Sequence, residues 1–186
     1  MATIHLVRHG EAAAGFGTHR DPGLSELGQK QARSVAALLS TTLVSNGPVT
    51  IFSSPLARAY QTAEPLAAQW QQDILIEKRV AEIPSPSEDL NERAQWLHKA
   101  MQGTWRELAP EFIQWQQDLV ACLLELEEDC VLFSHYVAIN AAVGAARNDD
   151  RMRIFAPDNC SVTTLTNTAG KLEVVALGRT AQTKIN

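Results

Sequence analysis

Residues 4–11 read Ile4-His5-Leu6-Val7-Arg8-His9-Gly10-Glu11, an apolar run that stops on an arginine, a histidine and a glycine. Ile4–Val7 is predicted to be a strand, and in an open α/β sheet reactive groups collect where strands end and helices begin. The same pattern recurs downstream. Val49–Ser53 is a second strand, and residues 53–63, SSPLARAYQTA, follow it. There Ser54-Pro55 is expected to open a helix with a cap and a first-position proline, which puts Arg58 in the first turns. Ile74–Val80 is predicted as a third strand ending in Val80-Ala81-Glu82, and Val131–Ser134 as a fourth ending in Ser134-His135.

Helical patterns separate these strands. Ser25 can cap a helix on which Leu27, Val35, Leu38 and Leu39 share a face, and Ser45-Asn46-Gly47-Pro48 breaks it. Ile83-Pro84-Ser85-Pro86-Ser87 can continue neither element and must be loop. Two helices follow between Leu90 and about Leu126, with Leu90, Ala94, Leu97 and Met101 on one stripe and Trp96, Trp105 and Trp115 assigned to the core. A small-residue helix runs through Ala141-Ala142-Val143. Ser161–Thr166 and Leu172–Leu177, joined by Asn167-Thr168-Ala169-Gly170, read as a closing hairpin. The expected fold is α/β: a three-layer α/β/α sandwich with a mostly parallel sheet, an antiparallel edge and a helical insertion at about 83–128, in a single domain spanning 1–186.

At 186 residues, 45% apolar and 20% charged, the chain can bury a sizeable core. Its net charge of −5 provides no basic field for nucleic acid or an anionic membrane, so a bound anion must be held by local cations. Cys122, Cys130 and Cys160 form no CxxC and suggest neither a disulfide framework nor a zinc site. Free thiols, an N-terminus without a basic leader and the lack of a long apolar segment lead us to expect a cytoplasmic protein.

If the strands are parallel neighbours, Arg8, His9, Arg58, Glu82 and His135 converge on one rim. Two guanidiniums bind a phosphoryl dianion through forked donors and disfavour protonation of a nearby imidazole. A neutral His9 can then attack phosphorus, His135 can donate to the phosphoryl oxygens, and Glu82 can protonate the departing alkoxide. With the arginines neutralising charge, this chemistry needs neither a metal nor a cofactor. Glu77, Glu88 and Asp89 are the rival carboxylates. His5 and His9, four residues apart on a strand, are separated by roughly 13 Å, too far to share a metal. His5 is assigned to packing, His98 to solvent, and Cys160 to a buried strand end.

RHGE at 8–11, DPGLSELGQKQA at 21–32, SSPLARAYQTA, the Ser134-His135 pair and NCSVTTL at 159–165 together resemble the histidine phosphatase superfamily, the phosphoglycerate-mutase-like group. The resemblance implies that His9 is the phosphorylated histidine, that Arg8 and Arg58 clamp phosphate, that His135 is the second pocket histidine and that Glu82 is the proton donor. Three departures stand out. Tyr136 follows His135 where many members carry glycine. The loop Ala12–Arg20 lacks a phosphate-holding asparagine and offers only Thr18, His19 and Arg20. No aspartate follows His135, which places the chain in the branch with a glutamate after strand three. Tyr136 and His19 are therefore expected on the substrate side of the pocket.

The expected function is metal-independent hydrolysis of a small phosphomonoester through a phosphohistidine at His9. A phosphoglycerate-type mutase is the enzymatic alternative, weakened because Arg93, Lys99 and Arg106 are the only fixed positive charges from Ile83 to Cys130. A non-catalytic phospho-ligand binding or regulatory module is the third reading. It is motivated by Tyr136 and Ala12-Ala13-Ala14 and opposed by the retention of both histidines, both arginines and a carboxylate.

Overall fold

Cys130–Ser134 forms a strand buried along its whole length, as expected of a strand covered by helices on both faces. In the computed structural model, which describes residues 1–14, 19–43 and 47–181, this strand lies within a six-stranded sheet. The strands are β1 (Ala2–Arg8), β2 (Thr50–Ser53), β3 (Ile74–Ile76), β4 (Cys130–Ser134), β5 (Val162–Thr168) and β6 (Lys171–Ala176). Across the sheet they run β3-β2-β4-β1-β5-β6, the first four parallel and the last two antiparallel. The helices are α1 (Glu26–Thr42), α2 (Ala57–Trp70), α3 (Leu90–Ala100), α4 (Pro110–Glu125) and α5 (Tyr136–Arg147).

Strand alternation sorts the core into two layers. Val7, Ile51, Val131 and Phe133 meet Val35, Ala36 and Leu39 of α1 and Ala63, Leu66 and Ala67 of α2. On the other face, Ile4, Leu6 and Leu132 meet Leu119 and Leu123 of α4 and Val137 and Ala141 of α5. The expected three layers, parallel core and antiparallel edge are all present. Of the segment expected as an insertion, α4 packs directly on the sheet. Trp105 is buried and stacks on Trp115 at 5.8 Å, while Trp96 meets Phe112 at 4.7 Å.

Several local expectations need correction. Leu27 and Leu38 of α1 are 50% and 53% exposed. The buried stripe is instead Gly28, Ala32, Val35, Ala36 and Leu39, because α1 seats its glycine against the loop after β1. A Cβ on Gly28 would stand 2.1 Å from the Glu11 carbonyl oxygen. The third strand stops at Ile76, since the Glu77 carboxylate accepts from Arg79 N–H and turns the chain into a 3₁₀ turn at Lys78–Val80. Helix α2 begins at Ala57 with Leu56 as N-cap and no side-chain cap of its own. The Ser54 hydroxyl accepts from Leu56 N–H and otherwise serves the site described below. The hairpin turns on Ala169 and Gly170 alone, both at positive φ (51° and 76°), the geometry of a tight two-residue turn. Asn167 and Thr168 therefore belong to β5, where the Asn167 amide donates to the Leu124 and Leu126 carbonyls at the end of α4. Ser45 and Asn46, expected to break α1, lie outside the described residues, as does Thr18.

The topology positions one rim. Strand β4 is inserted between β1 and β2, so the chain reverses its direction of travel across the sheet there. Register aligns Arg8 with Ser134 and Ser53 with Phe133, bringing the C-terminal ends of all three strands level. Such a switch point opens a crevice at the carboxyl end of a parallel sheet. The Ser134 hydroxyl donates to the Val80 carbonyl at 2.7 Å, tethering the segment that carries Glu82 to the same rim.

Candidate active site

His9 stands one residue beyond β1 and is buried. Its backbone N–H donates to the Ser134 carbonyl at 3.0 Å, extending the β1–β4 pairing. The peptide after it is gripped at both ends: Asn159 Nδ2 donates to the His9 carbonyl at 3.0 Å, and Gly10 N–H donates to Thr62 Oγ1 at 3.0 Å. The Gly10 carbonyl lies 2.7 Å from His9 Nδ1 and can only accept, so Nδ1 carries the proton. Arg58 Nε–H donates to His9 Nε2 at 3.1 Å, so Nε2 presents its lone pair. Burial, reinforced by the charges of Arg58 and Arg8, holds the imidazole pKa well below its ordinary value. This arrangement favours the neutral form of His9 and gives Nε2 the free lone pair.

The other expected residues surround it. The His135 ring is fully buried, with its centroid 5.2 Å from that of His9 and its Nε2 2.7 Å from Ser54 Oγ. Burial first, then Arg58, lowers its pKa strongly. Arg58, in the first turn of α2, is buried, with Asp21 3.7 Å from its Nη1. Asp21 also accepts from Ala57 N–H at 2.9 Å, which supplies the start of α2 with the cap that Leu56 cannot provide. Arg8 Nη1 donates to the Pro157 carbonyl at 2.8 Å.

Glu82 is buried, accepting from Ile83 N–H at 3.0 Å and from Val137 N–H at 3.3 Å. Burial raises its pKa against the opposing pull of these N–H groups and of Arg58 and Arg8. A carboxyl whose pKa is raised toward the working range is suited to general acid work. The rivals are occupied elsewhere. Glu77 is bound to Arg79 and held below the usual carboxylate range by that contact, Glu88 pairs with Arg20 on the surface, and Asp89 caps α3.

Tyr136 and His19, expected on the substrate side, both make contacts within the protein. The Tyr136 phenol donates to the Phe155 carbonyl at 3.3 Å, and the ring lies beneath Arg8. His19 is exposed, its Nδ1 accepting from Asp21 N–H at 3.2 Å. The sequence pattern marks none of Ser54, Asp21, Thr62, Asn159 or Arg93 as a pocket residue, Ser54 being expected only as a helix cap. Ser54, Asp21, Thr62 and Asn159 sit inside the segments that carried the resemblance, but only the fold shows what each one grips. Arg93 on α3 is half-buried, and its charge bears on Glu82, Arg58 and His135.

The model of the histidine phosphatase superfamily (branch 1) matches residues 4–180. The chain is similar to a protein named "Probable phosphoglycerate mutase GpmB" from Photorhabdus laumondii, 27% identical over 187 residues and covering 87% of this chain and 83% of that one. It is also similar to phosphoserine phosphatase 1 of Hydrogenobacter thermophilus, 30% identical over 122 residues, or 63% of this chain and 52% of that protein. Among solved structures, phosphoserine phosphatase from Entamoeba histolytica in complex with 3-phosphoglyceric acid shares the fold at a TM-score of 0.73, with 23% identity over 97% of this chain and 98% of that one.

Proposed function

Because this chain belongs to the histidine phosphatase superfamily (branch 1), we propose that it hydrolyses a small phosphomonoester through a phosphohistidine at His9, without a metal. The observation that carries the reading is the His9 geometry: Nδ1–H fixed on Gly10 and the Nε2 lone pair facing Arg58. In the first step Nε2 attacks phosphorus, the P–O ester bond breaks, and Glu82 gives its proton to the leaving alkoxide. Arg58 turns its N–H donors from Nε2 to the phosphoryl oxygens, joining Arg8 and His135. In the second step water attacks the phosphohistidine, the Glu82 carboxylate takes the water proton, and His9 returns neutral as inorganic phosphate forms. Charge neutralisation falls to fixed guanidiniums, which supports metal independence. Relatives named for phosphoserine and phosphoglycerate chemistry support a small, anionic, phosphorylated substrate.

The similarity to a protein named as a mutase favours a second reading, in which the phosphoryl group returns to another hydroxyl rather than to water. A screen of phosphoserine, phosphoglycerates and sugar phosphates in EDTA separates the two. Phosphate release from at least one ester, undiminished by chelator, is expected. Isomerisation of 3-phosphoglycerate without phosphate release would establish the mutase, and activity dependent on added metal would overturn metal independence.

A further inference from the structure

Tyr136 opens α5 directly after His135 and is 7% exposed. The Arg8 guanidinium carbon stands 5.2 Å from its ring centroid, within the range of a cation–π contact. The segment 155–157 closes the arrangement, its Phe155 carbonyl accepting from the phenol and its Pro157 carbonyl from Arg8 Nη1. Arg8 Nε is buried with no acceptor among the described residues.

These contacts answer a physical problem. A guanidinium cannot shed its charge, and the half-buried Arg8 shares its surroundings with Arg58 while Glu82 must stay protonated to act as an acid. The charges of Glu82 and Asp158 bear on Arg8, but a carboxylate bonded directly to its N–H groups would compete with phosphate. Further carbonyls would consume the N–H donors that phosphate needs. An aromatic face offsets part of the lost hydration without doing either.

Building on the phosphatase reading, we propose that Tyr136 is a positioning residue: its ring is the platform that holds the charged Arg8 in place and leaves Nε uncommitted for a phosphoryl oxygen. Its hydroxyl, bound to Phe155, takes no part in choosing the substrate.

Replacing Tyr136 by phenylalanine, and by phenylalanines bearing one, two and three ring fluorines, drains the π face while nearly preserving shape. Tyr136→Leu removes it. Three quantities are read for each protein: the melting temperature, calorimetric affinity for inorganic phosphate, and the Arg8 Nε–Hε resonance. Phosphate affinity should fall stepwise along the fluorine series, roughly three- to tenfold overall, at nearly constant melting temperature. The Arg8 resonance should carry a ring-current shift in wild type and Tyr136→Phe, and lose it in Tyr136→Leu. Affinity that is flat across the series would overturn the proposal. So would a Tyr136→Phe protein that binds phosphate normally but reorders a panel of phosphoesters, since the phenol would then be touching substrate. Should wild type bind no phosphate, the phosphatase reading fails, and the Arg8 resonance alone decides the platform: no change in Tyr136→Leu would refute it.

Discussion

His9 and Glu82 have pKa values moved in opposite directions by the same burial, and the direction of each sets a limb of the pH profile. In the proposed mechanism His9 attacks as the neutral base, and its depressed pKa should keep it active until the pH falls well below the ordinary histidine range. In the same mechanism Glu82 must be protonated in the first step, and its raised pKa should extend activity on esters of poor leaving groups above the ordinary carboxylate range before it declines. The alkaline limb for an alkyl phosphate should therefore belong to Glu82. Glu82→Gln should abolish that limb and slow alkyl esters roughly 10²- to 10⁴-fold, while p-nitrophenyl phosphate, which leaves unaided, is slowed far less. Equal losses on both esters would move the acid elsewhere. Arg93 brings a third guanidinium to bear on the site, so Arg93→Leu should reduce kcat/KM for phosphoserine roughly tenfold more than for phosphoethanolamine, which lacks the carboxylate. Equal reductions would remove Arg93 from substrate recognition. At this scale His9 and His135 were legible as candidates because they directly follow β1 and β4, whereas Glu82 was reached through a strand expected to run to Val80 that stops at Ile76. Their supports were not: Asn159 gripping the His9 carbonyl and Ser54 against His135 are polar residues whose partners lie far away in sequence.

Among the elements, α1 shows what apolar periodicity leaves out. Leucines at 27 and 38 suggest a face, yet contact with the loop after β1 turns the small residues inward, with Gly28 against Glu11. A Cβ at Gly28 would displace backbone that continues directly into His9 and Gly10. Gly28→Ala should cost about 1–3 kcal/mol in urea unfolding and lower kcat, whereas Leu38→Gln on the solvent face should stay within about 0.5 kcal/mol. A stable, fully active Gly28→Ala protein would contradict this packing. The shortening of β3 has a local origin: Glu77 N–H still donates to the Ser53 carbonyl, but the Glu77 carboxylate draws Arg79 into a turn that ends the strand. Asn167 belongs to β5 and caps the end of α4, a long-range role that made its turn-like sequence misleading.

For the whole molecule, the order β3-β2-β4-β1-β5-β6 turns residues 9, 58, 82 and 135 into neighbours. The alternation of strand and helix made the layers, the parallel core and the closing hairpin readable. Placing β4 between β1 and β2 is a tertiary choice: it lets a strand that is apolar from Cys130 to Phe133 bury both faces, and it sets His135 beside His9. If that juxtaposition exists to transfer phosphoryl groups, the enzyme must pass through a covalent state. Rapid acid quench of the enzyme turning over ³²P-labelled substrate, followed by peptide mapping, tests this most directly. The expected result is label on His9 at Nε2, stable to base and lost in acid, formed at a rate consistent with turnover and absent from a folded, inactive His9→Ala protein. Turnover with no phosphoenzyme detectable at any quench time, or a His9→Ala protein that still hydrolyses the substrate at the wild-type rate, would contradict it.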